Sequence, residues 1–295
     1  MGRYRDPRAA NRPPAGTDPK MDATAAELRQ LMPYGWRWEV FRDGLGLIVC
    51  AAWHEAPEWV CLDPRSPGDL AAARLVDGLQ NRVFLDPLSG HGYPADVLAV
   101  ARRFGPTDWL RNGDEATIAA PLDLLGVNYY TPAVVAARPG EPATAAYPGS
   151  EDIAFVPAPG PVTEMGWTIE PAGLTGLLER IARDCPGVPL LVTENGAAFD
   201  DRPDSGGQVP DPRRIAYLDG HLRAVHAAIA RGVDVRGYLV WTLLDNFEWA
   251  EGYRQRFGLV YVDYPSQSRV PKDSAWWYRD VIARGGLAAA PTTDE

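Results

Sequence analysis

The sequence predicts an α/β fold built on a parallel sheet, and two features of its pattern support this. Short apolar runs of strand length alternate with segments of helical periodicity, in four units that begin near Gly44, an order typical of parallel α/β proteins. Three of these runs end in polar or aromatic residues, as expected where the carboxyl ends of parallel strands carry a site. The predicted strands are Gly44–Ala52, Leu122–Tyr130, Val188–Asn195 and Val233–Trp241.

The helices between these runs are predicted from apolar residues at i, i+3 and i+4 spacing. Gly68–Asn81 has such a stripe directly after a proline, and Arg213–Arg231 has one that ends at a glycine, as helix starts and stops commonly do. Further helices are predicted at Thr24–Leu31, Ala95–Phe104, Asp114–Ile118, Ala172–Asp184 and Ser274–Arg284. Thr131–Val162 is rich in Pro, Ala and Gly and is predicted to be a long loop.

The composition limits the classes of function. The chain has 295 residues and is 46% hydrophobic, which is enough for one large domain or two small ones. A net charge of -10 argues against nucleic acid and anionic membrane surfaces as partners. The three cysteines and four histidines lack metal-ligand spacing, so we expect no metal and no cofactor, and a reducing, cytoplasmic location. No apolar stretch approaches the length of a membrane helix, and the N-terminus lacks the apolar region of a signal peptide.

The strongest candidate for a reactive residue follows the third predicted strand. Val188–Asn195 is an apolar run that ends in Thr193-Glu194-Asn195, with Gly196 next. A carboxylate held at the carboxyl end of a buried parallel strand is well placed to act as a nucleophile or a base. A solvated loop glutamate would give the same local pattern, so Glu194 needs support from another part of the chain.

That support comes from Gly237–Asp263. The stretch begins as a predicted buried strand, Tyr238–Trp241, and continues into a loop that holds Glu248 and Trp249. Aromatic faces beside carboxylates suit a sugar, because the apolar ring faces of the sugar pack on indole while its hydroxyls donate to carboxylate oxygens. Together the two stretches indicate a saccharide site.

Both stretches resemble the family 1 glycoside hydrolases, the β-glucosidase family. Members are (β/α)8 barrels that hydrolyse β-glycosides with retention, so the resemblance implies a partial TIM barrel of approximately strands five to eight with their helices. The implied organisation is an unrecognised and poorly ordered segment over 1–43, the partial barrel over 44–286 and a tail over 287–295. The implied substrate is a β-glucoside or a related small saccharide.

The resemblance also implies roles for individual residues. Glu194 would be the nucleophile, Glu248 would accept hydroxyls of the sugar, and Trp167 would line the aglycone side. The implied sugar-contacting set is Asn128, Tyr130, Trp167, Trp241, Glu248 and Trp249. Purely structural alternatives remain: barrel core for Trp241 and Tyr130, a strand-end cap for Asn128, loop packing for Trp167 and Trp249, and an ion pair with Arg254 or Arg256 for Glu248.

The chain departs from the family at one point that matters for catalysis. Members carry their acid/base glutamate in an Asn-Glu-Pro stretch, and no Asn-Glu-Pro occurs in this sequence. We therefore expect impaired hydrolysis, or a catalytically inactive remnant or sugar-binding half-barrel that needs a partner chain. Glu55, in His54-Glu55-Ala56-Pro57, is a third and weaker possibility as a substitute acid. Half of a barrel leaves strand edges and an apolar sheet face exposed, so we expect a partner chain that supplies the missing half, a dimer or an unusual repacking.

Overall fold

The structure, a computed structural model, describes residues 65–288 in full and the backbone of three further strands at 37–43, 46–52 and 60–61. Its strands are β1 Arg37–Asp43, β2 Gly46–Ala52, β3 Val60–Cys61, β4 Leu124–Asn128, β5 Val134–Ala137, β6 Ile153–Val156, β7 Leu190–Asn195, β8 Val235–Val240, β9 Val260–Asp263 and β10 Ser268–Pro271. Its α-helices, numbered along the described part, are α1 Pro67–Asp77, α2 Val83–Leu88, α3 Ala95–Phe104, α4 Asp114–Ile118, α5 Pro171–Asp184, α6 Pro212–Ala230 and α7 Asp273–Arg284.

The main sheet confirms the predicted parallel α/β architecture. Its order is β1-β2-β4-β7-β8, and the β2–β4, β4–β7 and β7–β8 pairs are all parallel. The register shifts near the carboxyl ends of β4 and β7, where Asn128 pairs with Glu194. Parallel pairing brings the carboxyl ends of β4, β7 and β8 to one edge of the sheet. The predicted site residues therefore lie at the same end of the fold.

The largest core lies between this sheet and the helices α5 and α6. Leu190 and Val192 of β7 are fully buried there against Leu174 and Leu178 of α5. These are alternate positions on the strand and one face of the helix, as the apolar periodicity predicts. Both helices begin with a proline at the first helical turn, where the missing N–H costs no hydrogen bond. This core fixes the strand that carries Glu194.

The prediction that β8 begins as a buried strand is wrong. Only one of its faces is covered: Tyr238 and Val240 pack against a buried cluster that contains Tyr217 and Leu218 of α6. On the opposite face the Leu239 side chain is 53% exposed. Within the described sheet β8 is the terminal strand. Strands of parallel sheets are usually buried on both faces, whereas the second face of β8 is not covered.

The predicted long loop Thr131–Val162 is also wrong in part, because it contains two strands. β5 and β6 pair antiparallel with each other, and β5 pairs parallel with β3 in a separate three-stranded sheet. The Asp69 carboxylate of α1 accepts a hydrogen bond of 2.8 Å from the Ala137 N–H at the end of β5. Short strands among Pro and Gly residues give too little alternation to be predicted locally.

The other predicted helices are confirmed at or within a few residues of their expected bounds. The exception is Gly68–Asn81, whose α-helix ends at Asp77 and continues as a π-helical turn, Gly78–Arg82. The β9–β10 hairpin was not predicted. The predicted helix Thr24–Leu31 and Glu55 lie outside the described residues, and the domain boundaries stay a prediction. Over the described part, no helix is both long and apolar enough to cross a membrane.

Candidate active site

Glu194 stands at the carboxyl end of β7, and its carboxylate is held by a tyrosine from the segment that follows the neighbouring strand β4. The Tyr130 hydroxyl, two residues beyond β4, donates a hydrogen bond of 2.8 Å to Glu194 Oε2. Burial raises the pKa of Tyr130 well above its usual value, and the Glu194 charge raises it further. The phenol therefore stays protonated and remains a donor to the carboxylate.

The backbone beneath Glu194 is fixed by Asn195, whose side chain is fully buried. Its Nδ2 donates to the Tyr129 carbonyl at 2.6 Å and to the Tyr217 hydroxyl at 3.0 Å. Its Oδ1 accepts a hydrogen bond from the Tyr238 hydroxyl. The Asn195 amide therefore hydrogen-bonds to groups from β8, α6 and the end of β4. These bonds also fix the end of β7, which carries Glu194.

Gly196 is required where β7 ends because the backbone leaving β8 passes directly beside it. A Cβ placed on Gly196 would lie 1.8 Å from the Trp241 carbonyl oxygen, far inside any allowed contact. The Trp241 N–H also donates to the Asn195 carbonyl at 3.0 Å. The glycine therefore lets the ends of β7 and β8 approach closely enough for their loops to share one site.

A cluster of aromatic rings lies beside the Glu194 carboxylate. The ring centroids of Tyr130 and Trp167 are 5.3 Å apart, and those of Trp167 and Phe257 are 6.1 Å apart. Trp241 packs against the same cluster. Phe257 was not singled out from the sequence, although it lies inside the run Gly237–Asp263 that did indicate the site. Its burial at this position could not be predicted from local pattern.

Asn128 occupies the end of β4 and is almost fully buried. Its Oδ1 accepts a hydrogen bond of 2.6 Å from the Thr193 hydroxyl on β7. The bond joins the two strands one residue before Glu194. The Asn128 amide oxygen therefore links the ends of β4 and β7.

Glu248 is buried, with 6% of its surface exposed. The Trp241 indole N–H donates to Glu248 Oε2 at 3.3 Å. Burial raises the pKa of the Glu248 carboxyl, and the indole hydrogen bond offsets part of that rise. The sequence left open an ion pair between Glu248 and Arg254 or Arg256. In the structure Arg254 pairs with Glu251 instead, and Arg256 pairs with Asp245.

Trp249 follows Glu248 as the first residue of a 3-10 turn, Trp249–Glu251. Its side chain is about half exposed, and its φ angle is 41°. An exposed indole directly after a buried carboxylate gives this loop the two surfaces that a sugar needs, an apolar face and an acceptor.

A network of charges, buried except for the half-buried Arg256, lies behind these loops, and sequence reasoning did not find it. It consists of three carboxylates and three cations, Asp201, Asp211, Asp245, Arg214, Arg256 and Lys272. Arg214 lies between Asp201 and Asp211 at 2.6 Å and 2.8 Å. The Asp200–Pro212 stretch that supplies two of the carboxylates has the composition of an ordinary polar loop, so its pattern does not indicate that these charges are buried.

Within the part of the chain that the structure describes, no group of three or more His, Cys, Asp or Glu side chains could hold a metal ion. His221 is fully buried in α6. Its Nδ1 lies 2.8 Å from the Tyr217 carbonyl oxygen, and burial lowers its pKa to about 4. The imidazole therefore donates through Nδ1 as a neutral group.

Comparison with known proteins identifies the family to which the chain is similar. A sequence profile described as Glycosyl hydrolase family 1 matches residues 8–287. Thermostable beta-glucosidase B of Thermobispora bispora is 52% identical over 226 residues, which are 75% of this chain and 45% of that protein. The bifunctional beta-D-glucosidase/beta-D-fucosidase of Bifidobacterium breve is 47% identical over 73% of this chain and 49% of its own length.

Solved structures agree with the sequence relatives. The psychrophilic beta-glucosidase of Micrococcus antarcticus superposes with a TM-score of 0.77 at 38% identity, covering 90% of this chain and 57% of that one. The family 1 β-glucosidase of Thermotoga maritima gives 0.72 at 37% identity, covering 82% and 51%. This chain spans about half the length of these relatives, and its fold is part of their barrel. The chain belongs to glycosyl hydrolase family 1.

Proposed function

We propose that the chain acts on β-glucosides as a retaining glycosidase, with Glu194 as the nucleophile. The observation that carries this proposal is the Glu194 carboxylate at the end of β7, held by the Tyr130 hydroxyl at 2.8 Å beside an aromatic cluster. Family membership supports the reaction type. The named relatives supply the substrate class, since three of them are called β-glucosidases and the fourth is called a bifunctional β-D-glucosidase/β-D-fucosidase.

The proposed reaction has two steps. The Glu194 carboxylate attacks the anomeric carbon, the bond to the aglycone oxygen breaks, and the aglycone leaves with the bonding electron pair. Water then attacks the anomeric carbon, the bond to the Glu194 oxygen breaks, and the water proton passes to solvent. Two inversions give net retention. The Tyr130 donor favours the second step, because it stabilises the carboxylate as it leaves.

The sugar subsite would be formed by the loop after β8. Glu248 would accept hydroxyls in charge-assisted hydrogen bonds, with Trp249 and Trp241 supplying apolar faces. Trp167 would line the side of the leaving group. The Trp241 indole already donates to Glu248 at 3.3 Å, which supports an orientation fixed before the sugar arrives.

Hydrolysis by this chain alone is proposed to be impaired. The sequence lacks the Asn-Glu-Pro stretch that carries the acid/base glutamate of the family, so the aglycone would leave without a proton. General acid–base catalysis is worth about 10²–10⁴-fold. Substrates whose leaving groups need no protonation would lose least, and Glu55 remains the weaker candidate for a substitute acid.

A second chain that supplies the remaining barrel strands, with this chain corresponding to strands five to eight, is part of the proposal. Its support is the β8 side of the molecule, where apolar side chains are exposed on the strand, on the loop that follows and on α7. These are Leu239, Leu243, Phe247, Trp276 and Ile282. In a closed barrel the sheet has no edge and such side chains are covered.

The alternative is a sugar-binding half-barrel without turnover. The buried Glu248 and the exposed Trp249 support binding as well as they support catalysis. Neither nucleic acid nor a membrane is proposed as a partner, because the net charge is -10. A cytoplasmic location is proposed on the cysteine pattern, and Cys185 is buried as a free thiol.

Turnover of an aryl β-glucoside with an activated leaving group tests the proposal. Wild type should release the phenol, and Glu194→Gln should abolish release. Azide should accelerate wild-type turnover, since an anionic nucleophile needs no general base to attack the glycosyl-enzyme. Glu179→Gln, which removes only an exposed ion pair with Arg231, is the matched control and should turn over like wild type. Wild type that binds a glucose-like inhibitor but releases no phenol, even with azide, would favour the binding alternative.

A further inference from the structure

Lys272 is fully buried and bridges two loops of the site. It lies immediately before α7, and its Nζ is 2.6 Å from Asp201 Oδ2 and 3.1 Å from Asp245 Oδ1. Asp201 belongs to the loop that leaves β7, the strand of Glu194. Asp245 belongs to the loop that leaves β8 and lies three residues before Glu248. One ammonium group therefore joins the loop of the proposed nucleophile to the loop of the proposed sugar acceptor.

The Asp245 end of this bridge holds the backbone of the Glu248 loop. Asp245 Oδ1 accepts from the Gly258 N–H at 2.9 Å, and Oδ2 accepts from the Val262 N–H at 3.4 Å. Arg256 donates to the same carboxylate at 2.6 Å. Both ends of the loop that contains Glu248 and Trp249 are thus fastened to one carboxylate.

The Asp201 end holds the exit of β7. Asp201 shares Arg214 with Asp211, and Arg214 Nη2 donates to the Ala197 carbonyl at 3.2 Å and to the Arg256 carbonyl at 2.7 Å. The Ala197 carbonyl lies three residues beyond Glu194. The two halves of the network therefore hold backbone on both sides of the site, and Lys272 connects them.

Balanced charge alone does not explain this arrangement. Buried ion pairs often contribute little net stability, because desolvation of the charges offsets their attraction. Burial and the neighbouring Arg214 lower the pKa of Lys272, and the two carboxylates offset part of that effect. Apolar residues would fill the same space without this penalty, so the directional tie between the loops is the property that the charges add.

We propose that Lys272 is a positioning residue that tethers the Glu248–Trp249 loop to the strand end of Glu194 and so fixes the geometry of the sugar subsite. The subsite rests on the proposed function, but the tether does not require turnover. Lys272→Met removes the ammonium group and keeps the length of the side chain. The double variant Lys272→Met/Asp201→Asn removes one buried positive and one buried negative charge, and its asparagine oxygen can still accept from Arg214.

The test measures amide hydrogen exchange and inhibitor binding on the full chain. In Lys272→Met, exchange over residues 245–262 should rise about tenfold, a coupling typical of residues in one buried network, while exchange over β4 stays unchanged. The double variant should regain the thermal stability of wild type while this loop still exchanges rapidly. Arg231→Met, which breaks an exposed pair with Glu179, is the control and should change neither.

Binding of deoxynojirimycin, a ligand found in complex with the Thermotoga maritima β-glucosidase, reports on the subsite. Its Kd should rise about tenfold in both the single and the double variant. Exchange that rises equally over β4 and the loop, or a double variant that restores the loop to wild-type exchange, would overturn the tether. Failure of wild type to bind deoxynojirimycin counts against the proposed function, and the exchange pattern still decides the tether.

Discussion

The β7 and β8 sides of the sheet differ although their sequences look alike. Both strands are short apolar runs that lead into polar loops. Around β7, helices α5 and α6 close a core in which Leu190 is fully buried. Around β8, one face packs on the cluster that contains Tyr217 and Leu218, and the other leaves Leu239 exposed. An apolar run therefore predicts a strand. Whether that strand is buried depends on which elements pack against each of its two faces.

The two parts of the proposed site are also supported differently. Glu194, on the β7 side, rests on a closed core and on the buried amide of Asn195. Glu248 and Trp249, on the β8 side, lie on a loop whose support comes mainly from buried charges. Sites are most precise where rigid elements carry them. The β8 side is therefore where tethering contacts matter most and where substitutions should loosen the site.

Gly196→Ala should have the largest effect, because it forces the two sides apart. The added methyl group would lie 1.8 Å from the Trp241 carbonyl, and backbone on one side must move. We expect a loss of about 4 kcal/mol in the free energy of unfolding, measured by urea denaturation. Gly105→Ala is the control, because no heavy atom lies within 4 Å of its Cβ position. A Gly196→Ala protein as stable as the control would contradict the close approach of β7 and β8.

Leu190→Ala and Leu239→Ala form a matched pair across the two sides. Removing Leu190, which is fully buried, should lower the free energy of unfolding by about 3 kcal/mol through lost burial and a cavity. Removing Leu239, which is half exposed, should change it by about 0.5 kcal/mol or less. The same urea titrations measure both. Equal costs would mean that β8 is covered in solution, as a partner on its exposed face would require.

His221 gives a smaller effect than Gly196 or Leu190, and it concerns only the β7 side. Its folded pKa of about 4 lies below the ordinary histidine value of 6.5, so the unfolded chain binds the additional proton between these values. Its contribution is intact above pH 6.5 and is lost as pH falls toward 4. From pH 7 to pH 5 the loss is about 2 kcal/mol.

Urea titrations of wild type and His221→Gln at both pH values isolate this contribution. The variant should lose less stability on acidification than wild type does. His226→Gln is the control, because His226 lies on the same helix and is exposed. Identical pH dependence in wild type and His221→Gln would show that the imidazole is already protonated in the folded protein or is hydrated.

The amino-acid sequence determined the helices and strands whose apolar period is strong. It also determined the position of Glu194 at a strand end and the gathering of carboxylates and indoles in one later stretch. These features are local, because side-chain period, proline and glycine act within a few residues. The family resemblance extended them to a partial barrel, which the comparisons support, and to a sugar site, which stays a prediction.

Only the tertiary structure decided which polar residues are buried and what they bind. Lys272 and Asp201 have an unremarkable sequence context, yet 71 positions apart they form one buried pair. Phe257 and Tyr130 meet because β4 and the loop after β8 reach the same end of the sheet. Burial and pairing depend on neighbours that are distant in sequence, and no local pattern records them. The strand period therefore fixed where Glu194 stands, and long-range packing fixed what surrounds it.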